Sequence, residues 1–270
     1  MLQKNLEGIV RVCKENRLDW PINVVGAEGS GKSTLAAHIS QKLAEMTGQE
    51  LDLAESMIYS FDERDRHGAP LKNSLVGFVD KYQSTEFKIL WYDEAVTVLF
   101  SDEHATRESK EAKKLFITKR DMCHFDILVS PSPFHIIKDI RSRRVKTMIY
   151  CFIMEDPETK RFKHKYAWYS ADKIVSMSYG SNQKKAEVLF RRPKQFINAF
   201  PPDFIEDFPK MTQEFEEKYL LTKRTFMKTY IDSLVGGEKT AADLVLPENF
   251  SFIPVFDKLV GKTAGGEEAV

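Results

Sequence analysis

The sequence predicts an α/β protein in which a mainly parallel β-sheet is flanked by helices. Short apolar runs typical of buried strands alternate, in the first half of the chain, with segments whose apolar residues recur at helical spacing. Such alternation is typical of a parallel sheet covered on both faces. From residue 147 the pattern changes to two β-rich segments joined by a turn, which predicts an antiparallel hairpin at the sheet edge.

The elements of the first half follow from local patterns. Apolar residues at positions 2, 6, 9, 10 and 13 fit one face of a leading helix, which Pro21 ends. The chain then predicts a strand over residues 22–25, a turn over 26–31, a helix over 32–46, a strand over 57–61, a helix over 74–82, a strand over 88–92, a charged helix over 107–123 and a strand over 126–130.

The second half predicts the hairpin and a long helix. Strands over residues 147–155 and 162–170 are joined by a turn at 156–159, and a helix is expected over 211–235. The predicted domains are a core at 1–195, which includes a leading helix at 1–19 and the edge hairpin at 147–170, a C-terminal helical extension at 196–261 and a disordered tail at 262–270.

Composition limits the partners and the compartment. The 40 basic and 40 acidic residues leave no net charge, so any DNA contact has to come from local patches. No apolar run is long enough to span a bilayer. The 3 cysteines are scattered and odd in number, which favours reduced thiols in a cytoplasm over a disulfide framework.

Residues 26–34 form a complete Walker A motif between a predicted strand and a predicted helix: Gly26-Ala27-Glu28-Gly29-Ser30-Gly31-Lys32-Ser33-Thr34. The glycines permit backbone angles that turn N–H groups toward phosphate oxygens, and the helix N-terminus adds its positive end. Lys32 is expected to contact the β- and γ-phosphates, and Ser33 to ligate Mg²⁺. The alternative, a turn that only joins strand to helix, is disfavoured by the spacing and the context.

A pair of carboxylates follows the strand predicted at residues 88–92. Strand alternation aims the side chains of Asp93 and Glu94 differently, which suits them to two roles. Asp93 is expected to hold Mg²⁺ through water as a Walker B aspartate, and Glu94 to activate the attacking water as general base. The alternative is that both only cap a strand in solvent. The sequence has no Asn-Lys-x-Asp motif for reading guanine, which favours ATP.

The order of these motifs, followed by a charged helix, an apolar strand and an arginine cluster, resembles the FtsK/HerA class of DNA-pumping ATPases. The resemblance covers residues 20–150 and is nearest to the zonula-occludens-toxin-like and viral DNA-packaging branch. It implies a P-loop NTPase fold of the RecA-like, additional-strand type. It also implies that Ser130 stands in the place of a sensor residue, where many members have the longer Gln or Asn. Lys119-Arg120 and His124 fall where such proteins often have an arginine followed by His or Asn.

The segment 138–146 carries five basic residues and one acid. The resemblance implies that one of its arginines, Arg144 first and Arg141 second, acts as an arginine finger on a neighbour's nucleotide. The alternative is a helix with a solvated basic face that pairs with nearby acids. The hairpin tip at 159–165 surrounds Phe162 with basic residues, which suits DNA phosphates and base stacking, although a tip made soluble by charge is the commoner reason for such a pattern.

These observations predict an ATP-hydrolysing motor that couples Mg²⁺-ATP turnover to DNA translocation, packaging or remodelling. A homo-oligomeric ring is expected, because weak basic patches from several subunits could then hold DNA together. The alternatives are an ATPase that acts on a protein client, such as an AAA-like loader or an assembly or secretion motor, a nucleotide-dependent switch, and a small-molecule kinase. A cytoplasmic location is expected, in the host cytoplasm if the source is viral.

Overall fold

A seven-stranded sheet forms the centre of the described part of the chain, residues 1–59, 74–82, 85–93, 95 and 107–235, in a computed structural model. The strands are β1 (Ile22–Gly26), β2 (Met57–Ile58), β3 (Ile89–Tyr92), β4 (Phe125–Ser130), β5 (Thr147–Glu155), β6 (Phe162–Ser170) and β7 (Phe204–Asp207). Their spatial order is β2-β3-β4-β1-β5-β6-β7. Strands β1 to β5 pair in parallel, and β6 and β7 each pair antiparallel with the strand before.

Helices connect these strands. They are α1 (Leu2–Asn16), α2 (Lys32–Thr47), α3 (Leu53–Ser56), α4 (Leu75–Tyr82), α5 (Arg107–Thr118), α6 (Lys138–Arg143), α7 (Ala171–Met177), α8 (Gly180–Leu189), α9 (Pro193–Ala199) and α10 (Gln213–Val235). Single 3₁₀ turns span Lys119–Met122 and Pro133–His135. The alternation of strands and helices confirms the predicted α/β class.

The position of β4 defines the type of fold. It lies between β1, which leads into the Walker A residues, and β3, which leads into Asp93. Because β1, β4 and β3 are parallel, all three end at the same edge of the sheet, where ligands of open α/β sheets bind. The chain therefore has the P-loop NTPase fold of the RecA-like, additional-strand type that the sequence predicts.

Both faces of the sheet are covered, which explains why its central strands are continuously apolar. Helix α2 packs on β1, β3 and β4, and α1 packs on α2. Helices α4 to α9 contribute to a core on the opposite face. Every residue of β1, β3 and β4 is buried as a result.

The predicted hairpin is formed by β5 and β6, which pair from Thr147 with Ser170 to Glu155 with Phe162. Its turn is closed by the Asp156 carboxylate, which accepts hydrogen bonds from the backbone amides of Glu158 and Thr159, both at 3.0 Å. Strand β7 then pairs with β6 and lies beyond the hairpin. The sequence does not predict β7, because this strand has only four residues and follows a Pro-Pro pair.

The chain divides into two compact units, Met1–Thr222 and Lys223–Val270. Strand β7 and the first part of α10 belong to the first unit, together with the sheet. The division predicted at residues 1–195, 196–261 and 262–270 stays a prediction, since residues after 235 lie outside the described part of the chain. Within the described residues, no helix combines the length and the apolar character needed to cross a membrane.

Candidate nucleotide-binding site

The Walker A residues, here called the P-loop (residues 26–34), form the turn between β1 and α2 at the carboxyl edge of the sheet. Gly29 and Gly31 adopt left-handed backbone angles, with φ of 74° and 88°. The Ser30 amide donates to the Ala27 carbonyl at 3.2 Å and tightens the turn. Left-handed angles are strained for residues with a Cβ, so glycine is needed at both positions.

Close packing adds a second requirement for glycine. A Cβ on Gly26, where φ is 153°, would lie 2.2 Å from the Cys151 carbonyl oxygen of β5. A Cβ on Gly31 would lie 2.8 Å from the Phe208 ring and 3.2 Å from a ring nitrogen of His164. The P-loop backbone is therefore held tightly between β5 and the chain around β6 and β7.

Lys32 and Ser33 begin α2, and Thr34 follows them in the first helical turn. Gly31 caps the helix and has no side chain with which to accept from the first amides, so these amides are available to an anion. The Lys32 ammonium donates to the Ala27 carbonyl at 3.0 Å and so lies over the loop. Backbone amides and one ammonium group thus converge where a phosphate chain would bind.

Asp93 directly follows β3 and faces Ser33. The Ser33 hydroxyl donates to Asp93 Oδ1 over 3.4 Å, near the outer limit of a hydrogen bond, although the two residues are 60 positions apart. Asp93 is only 1% exposed. The structure therefore brings together the two residues that the sequence analysis assigns to one magnesium site; their metal-binding role stays a prediction.

The donor set at this point fits Mg²⁺. A hydroxyl and a carboxylate are hard oxygen donors, and Mg²⁺ is commonly bound by one or two such groups, substrate phosphates and several waters. Ser33 Oγ and Asp93 Oδ1 lie 3.4 Å apart beside the P-loop. Phosphate oxygens of a bound nucleotide and water would complete the coordination of Mg²⁺ there.

Aromatic side chains enclose the Asp93 carboxylate. The Tyr219 hydroxyl, from α10, donates to Asp93 Oδ2 at 3.1 Å. The Tyr219 ring stacks on Trp91 with centroids 5.3 Å apart and planes 4° from parallel. Burial, and then the charge of Asp93, raise the pKa of Tyr59 above its ordinary value, so the Tyr59 hydroxyl is neutral.

His164 on β6 supports the P-loop from the side. Its Nδ1 lies 3.1 Å from the Ser30 carbonyl oxygen, and because a carbonyl only accepts, Nδ1 carries the proton. The His164 ring packs against Phe208, with centroids 5.8 Å apart. The hairpin that the sequence analysis considered for DNA binding therefore also contributes a contact to the candidate nucleotide site.

Ser130 ends β4 beside the P-loop strand and is fully buried. Its hydroxyl lies 3.3 Å from the Asn23 side-chain oxygen and 3.1 Å from the Ser132 carbonyl, so it donates within the protein. The Asn23 amide nitrogen is buried and has no hydrogen-bond partner among the described residues. A sensor role for Ser130 stays a prediction, and Asn23 is a second polar group at the same place.

Glu94, the expected general base, lies outside the described residues. Asp93 and Ala95, its neighbours in the chain, are both buried, and the Ala95 amide donates to the Val129 carbonyl of β4 at 2.7 Å. The assignment of Glu94 as general base stays a prediction.

Arg141 is buried in the contact between α6 and its neighbours, with 3% exposure. Its guanidinium donates to the Ser178 hydroxyl and to the Pro133 carbonyl, each at 3.3 Å, and lies 5.0 Å from the centre of the Phe134 ring. Burial lowers the pKa of Arg141 from its usual value. These contacts are internal to the fold and do not reach the P-loop.

Arg144 forms an ion pair with Asp19, and the two side chains are 13% and 5% exposed. Asp19 precedes β1 and Arg144 precedes β5; since these strands are parallel neighbours, the pair lies at the amino edge of the sheet, opposite the P-loop. Burial, and then the charge of Asp126, raise the pKa of Asp19 to about 6 in spite of Arg144. Neither Arg141 nor Arg144 reaches the nucleotide site of its own chain, and action on a neighbour's nucleotide stays a prediction.

Lys119 and His124 are also buried near the amino edge, just before β4. Lys119 pairs with Asp126, and both side chains are fully buried. Neither ring nitrogen of His124 has a hydrogen-bond partner among the described residues. Burial, and then the charge of Lys119, lower the pKa of His124 to about 3, so the ring is neutral.

The hairpin tip is less basic than its sequence indicates. Lys163 pairs with Asp156, and Lys165 pairs with Asp207 at 2.6 Å. Phe162 is 65% exposed at the start of β6. Part of the tip's positive charge is therefore neutralised within the protein.

A cavity of about 850 Å³ adjoins the P-loop at Ala27, Glu28 and Ser30. Its other walls include the aromatic side chains Phe134, Tyr150, Phe152 and Phe190, with Glu187 and Arg191 also lining it. Its size lies within the range of ordinary small-molecule sites, and its walls are largely apolar with a few polar groups.

Four residues at the site escaped the sequence analysis: Asn23, His164, Phe208 and Tyr219. Asn23 gave one signal, as a polar residue inside an apolar strand. The other three gave no such signal, because only the tertiary fold brings them to the site. Tyr219 and Asp93, for example, are 126 positions apart in the sequence.

No protein-family model matches the sequence, and no curated protein sequence matches it. Several solved structures are similar to parts of the chain. The N-terminal domain of zonular occludens toxin from Neisseria meningitidis is 9% identical, with a TM-score of 0.42, over 74% of this chain and 98% of that one. The genome packaging NTPase of Sulfolobus turreted icosahedral virus 2 is 15% identical, with a TM-score of 0.37, over 57% and 92%.

A KaiC-like protein from Pyrococcus horikoshii OT3 is 15% identical, with a TM-score of 0.33, over 56% of this chain and 78% of that one. The first two proteins are of the kinds that the sequence resemblance names. At these identities and TM-scores, the assignment of the fold rests on the strand order and P-loop geometry of the chain itself. That assignment is a P-loop NTPase fold of the RecA-like type.

Proposed function

We propose that the chain binds ATP with Mg²⁺, hydrolyses it, and works as a homo-oligomeric ring that couples turnover to DNA translocation, packaging or remodelling. The observation that carries the ATPase part is the approach of Ser33 and Asp93, 3.4 Å apart, at the end of a glycine-lined phosphate loop. A glycine-rich loop between a strand and a helix could by itself be only a structural connection. The buried carboxylate opposite the helix start is what a metal–phosphate site requires.

Each residue has a defined task in this proposal. The P-loop amides and Lys32 hold the phosphate chain, while Ser33 and Asp93 hold Mg²⁺. When bound, Mg²⁺ neutralises the charge that develops on the β- and γ-phosphate oxygens. Glu94 takes the proton from the attacking water. The buried surroundings of Asp93 exclude competing water and strengthen these electrostatic interactions.

The cavity beside the P-loop supports a nucleotide as the ligand. It borders the loop at Ala27 and Glu28, and a planar base there would meet aromatic walls such as Phe134. Phe134 is partly exposed, so its ring is accessible to a ligand. We assign the cavity to the base and ribose of ATP.

The DNA part of the proposal rests on the motif order that resembles DNA-pumping ATPases and on the exposed hairpin tip. Phe162 is exposed there beside Lys160 and Arg161, which are exposed as well. An aromatic ring between cations suits a single strand or a duplex end. Several such tips in a ring would add their weak affinities.

The test is ATP hydrolysis by the purified protein, with and without single- and double-stranded DNA. Lys32→Ala is expected to lose nucleotide binding, and Glu94→Gln to bind nucleotide but lose turnover. Lys42→Ala, which removes a lysine from the same helix α2 ten residues later, is the matched control and is expected to retain both. Sedimentation of Glu94→Gln with ATP measures the oligomer.

The response to DNA separates the candidate functions. DNA stimulation that weakens steeply with salt supports a DNA motor, because phosphate contacts release counterions. Turnover that is indifferent to DNA would instead support a protein client. Absence of turnover from an oligomer that binds ATP would support a nucleotide-dependent switch. Normal nucleotide binding by Lys32→Ala would contradict the assigned site.

A further inference from the structure

Tyr219 of α10 contacts the proposed magnesium carboxylate directly. Its hydroxyl donates to Asp93 Oδ2 at 3.1 Å, while the Ser33 hydroxyl donates to Oδ1 over 3.4 Å. The two hydroxyls therefore hold the two oxygens of one carboxylate. Tyr219 is 6% exposed and Asp93 is 1% exposed, so water competes little for this hydrogen bond.

The Tyr219 ring is held against the strand that carries Asp93. It stacks on Trp91, which is fully buried and lies two residues before Asp93. Residues two apart on a strand share a face, so the indole and the carboxylate lie side by side. The stack therefore directs the Tyr219 hydroxyl at Asp93 and limits its freedom to turn elsewhere.

The segment that leads to Tyr219 is anchored to the P-loop as well. Phe208 packs so closely on Gly31 that a Cβ there would lie 2.8 Å from its ring. His38 of α2 donates from Nε2 to the Pro209 carbonyl at 3.0 Å. The chain between β7 and Tyr219 thus contacts the P-loop and α2 before it reaches Asp93.

We propose that Tyr219 is a positioning residue of the nucleotide site, whose hydroxyl fixes the Asp93 carboxylate with Oδ1 toward Ser33. The proposal rests on the proposed function, since it assigns a partner to the Asp93 magnesium ligand. Outer partners of this kind set the orientation of a metal ligand, and their loss commonly weakens metal binding by about 10- to 100-fold. By reciprocity, binding of the magnesium nucleotide stabilises the first turns of α10.

The decisive variant is Tyr219→Phe, which keeps the stacked ring and removes only the hydroxyl. Binding of a non-hydrolysable ATP analogue is measured with Mg²⁺ and again with EDTA. Affinity with Mg²⁺ is expected to fall about tenfold, and affinity in EDTA to stay unchanged. A residue that only supports the fold would alter both affinities together.

Tyr92→Phe is the matched control. It removes a buried tyrosine hydroxyl from β3, one residue before Asp93, that donates to Asp126 Oδ1 at 3.2 Å instead of to the nucleotide site. Both variants lose one tyrosine–aspartate hydrogen bond, so both are expected to lose a similar amount of stability in urea without ligand. Only Tyr219→Phe is expected to change how the affinity for the ATP analogue depends on Mg²⁺.

A second readout uses the fluorescence of Trp91. The chain has 3 tryptophans, so Trp20→Phe with Trp168→Phe leaves Trp91 as the single emitter. Magnesium chloride is titrated at a fixed concentration of the analogue. The emission change is expected at about tenfold higher Mg²⁺ when Tyr219→Phe is added to this background.

The outcomes are separable. If the unaltered protein binds the analogue in a magnesium-dependent way and Tyr219→Phe has the same Mg²⁺ titration, the positioning role is wrong while the proposed function stands. An equal loss of affinity with Mg²⁺ and in EDTA would also overturn the positioning role. If the unaltered protein shows no magnesium-dependent binding, the proposed function and the positioning role both fail.

Discussion

The P-loop shows how single residues carry the geometry of the candidate site. Gly26, Gly29 and Gly31 all have positive φ, but the surroundings that favour glycine differ between the three positions. Gly26 lies against the β5 backbone, and Gly31 lies against Phe208. At Gly29, a Cβ would meet no atom within 4 Å, so only the left-handed angle of 74° requires glycine there. Backbone conformation therefore favours glycine at all three positions, and close packing is an additional requirement at Gly26 and Gly31.

This difference predicts unequal effects of alanine. Gly26→Ala is expected to cost on the order of 3 kcal/mol or more of unfolding free energy, because a Cβ 2.2 Å from the Cys151 carbonyl has to separate β1 from β5. Gly29→Ala is expected to cost only about 1 to 2 kcal/mol, the strain of a left-handed alanine. Urea unfolding of both variants measures this. Equal losses would show that the strand contact does not decide the requirement at Gly26.

At the scale of elements, α6 and the residues after it show why a basic segment can face inward. Arg141 donates to Ser178 and Pro133, and Arg144 pairs with Asp19. Arg143, between them, has a side chain that is 74% exposed. Two arginines of this segment therefore stabilise the fold. The buried Arg144–Asp19 ion pair connects the residues just before β5 to those just before β1.

Arg144→Ala is accordingly expected to destabilise the protein by about 3 to 5 kcal/mol at pH 8, because the buried Asp19 carboxylate loses its guanidinium. The penalty is expected to be smaller at pH 5. Asp19 has a folded pKa of about 6, above the value of 3.8 for a free aspartate, so it is largely protonated at pH 5 and ionised at pH 8. Urea unfolding at the two pH values measures the difference.

Arg143→Ala is the control for this prediction and is expected to change the unfolding free energy by about 0.5 kcal/mol or less, since its side chain is exposed. Nucleotide binding by folded Arg144→Ala is expected to be retained. If Arg144→Ala were as stable as the unaltered protein, bound ATP and lost only turnover, Arg144 would act on a neighbour's nucleotide as an arginine finger.

At the scale of the whole molecule, the unit Met1–Thr222 contains all 3 cysteines of the chain, and each is buried. Cys13 lies on α1, Cys123 precedes β4, and Cys151 lies on β5 beside Gly26. Burial raises the pKa of Cys13 to about 12 and raises that of Cys151 as well. All three thiols are therefore shielded inside this unit, and burial keeps Cys13 and Cys151 neutral.

An aromatic disulfide reagent is expected to label none of the three thiols rapidly in the native protein and all three in urea, because the reaction requires an exposed thiolate. ATP with Mg²⁺ at about 100 times its Kd stabilises the folded state by about 2.7 kcal/mol, which slows labelling by about 100-fold if the unit opens as a whole. Lys32→Ala is expected to show no such protection. Rapid native labelling of Cys151 alone would reveal local opening beside the P-loop.

The sequence by itself determined the α/β class, the P-loop between its strand and helix, and the hairpin at residues 147–170. These features are local: the apolar run of β1, the glycines that follow it and the turn at Asp156 each lie within a few residues of the structure that they form. The fold class was therefore predictable, and so was the identity of the phosphate loop. Short β7 was not, because four residues carry too weak a pattern.

Only the tertiary structure decided which side chains meet. Tyr219 reaches Asp93 across 126 positions, His164 reaches Ser30 across 134, and Arg144 reaches Asp19 across 125. An exposed basic helix and a buried one have the same composition, so the segment 138–146 gave no local sign that Arg141 and Arg144 face inward. The physical reason is that a hydrogen bond or ion pair depends on distance in space, which the order of strands in the sheet sets and the neighbouring sequence does not.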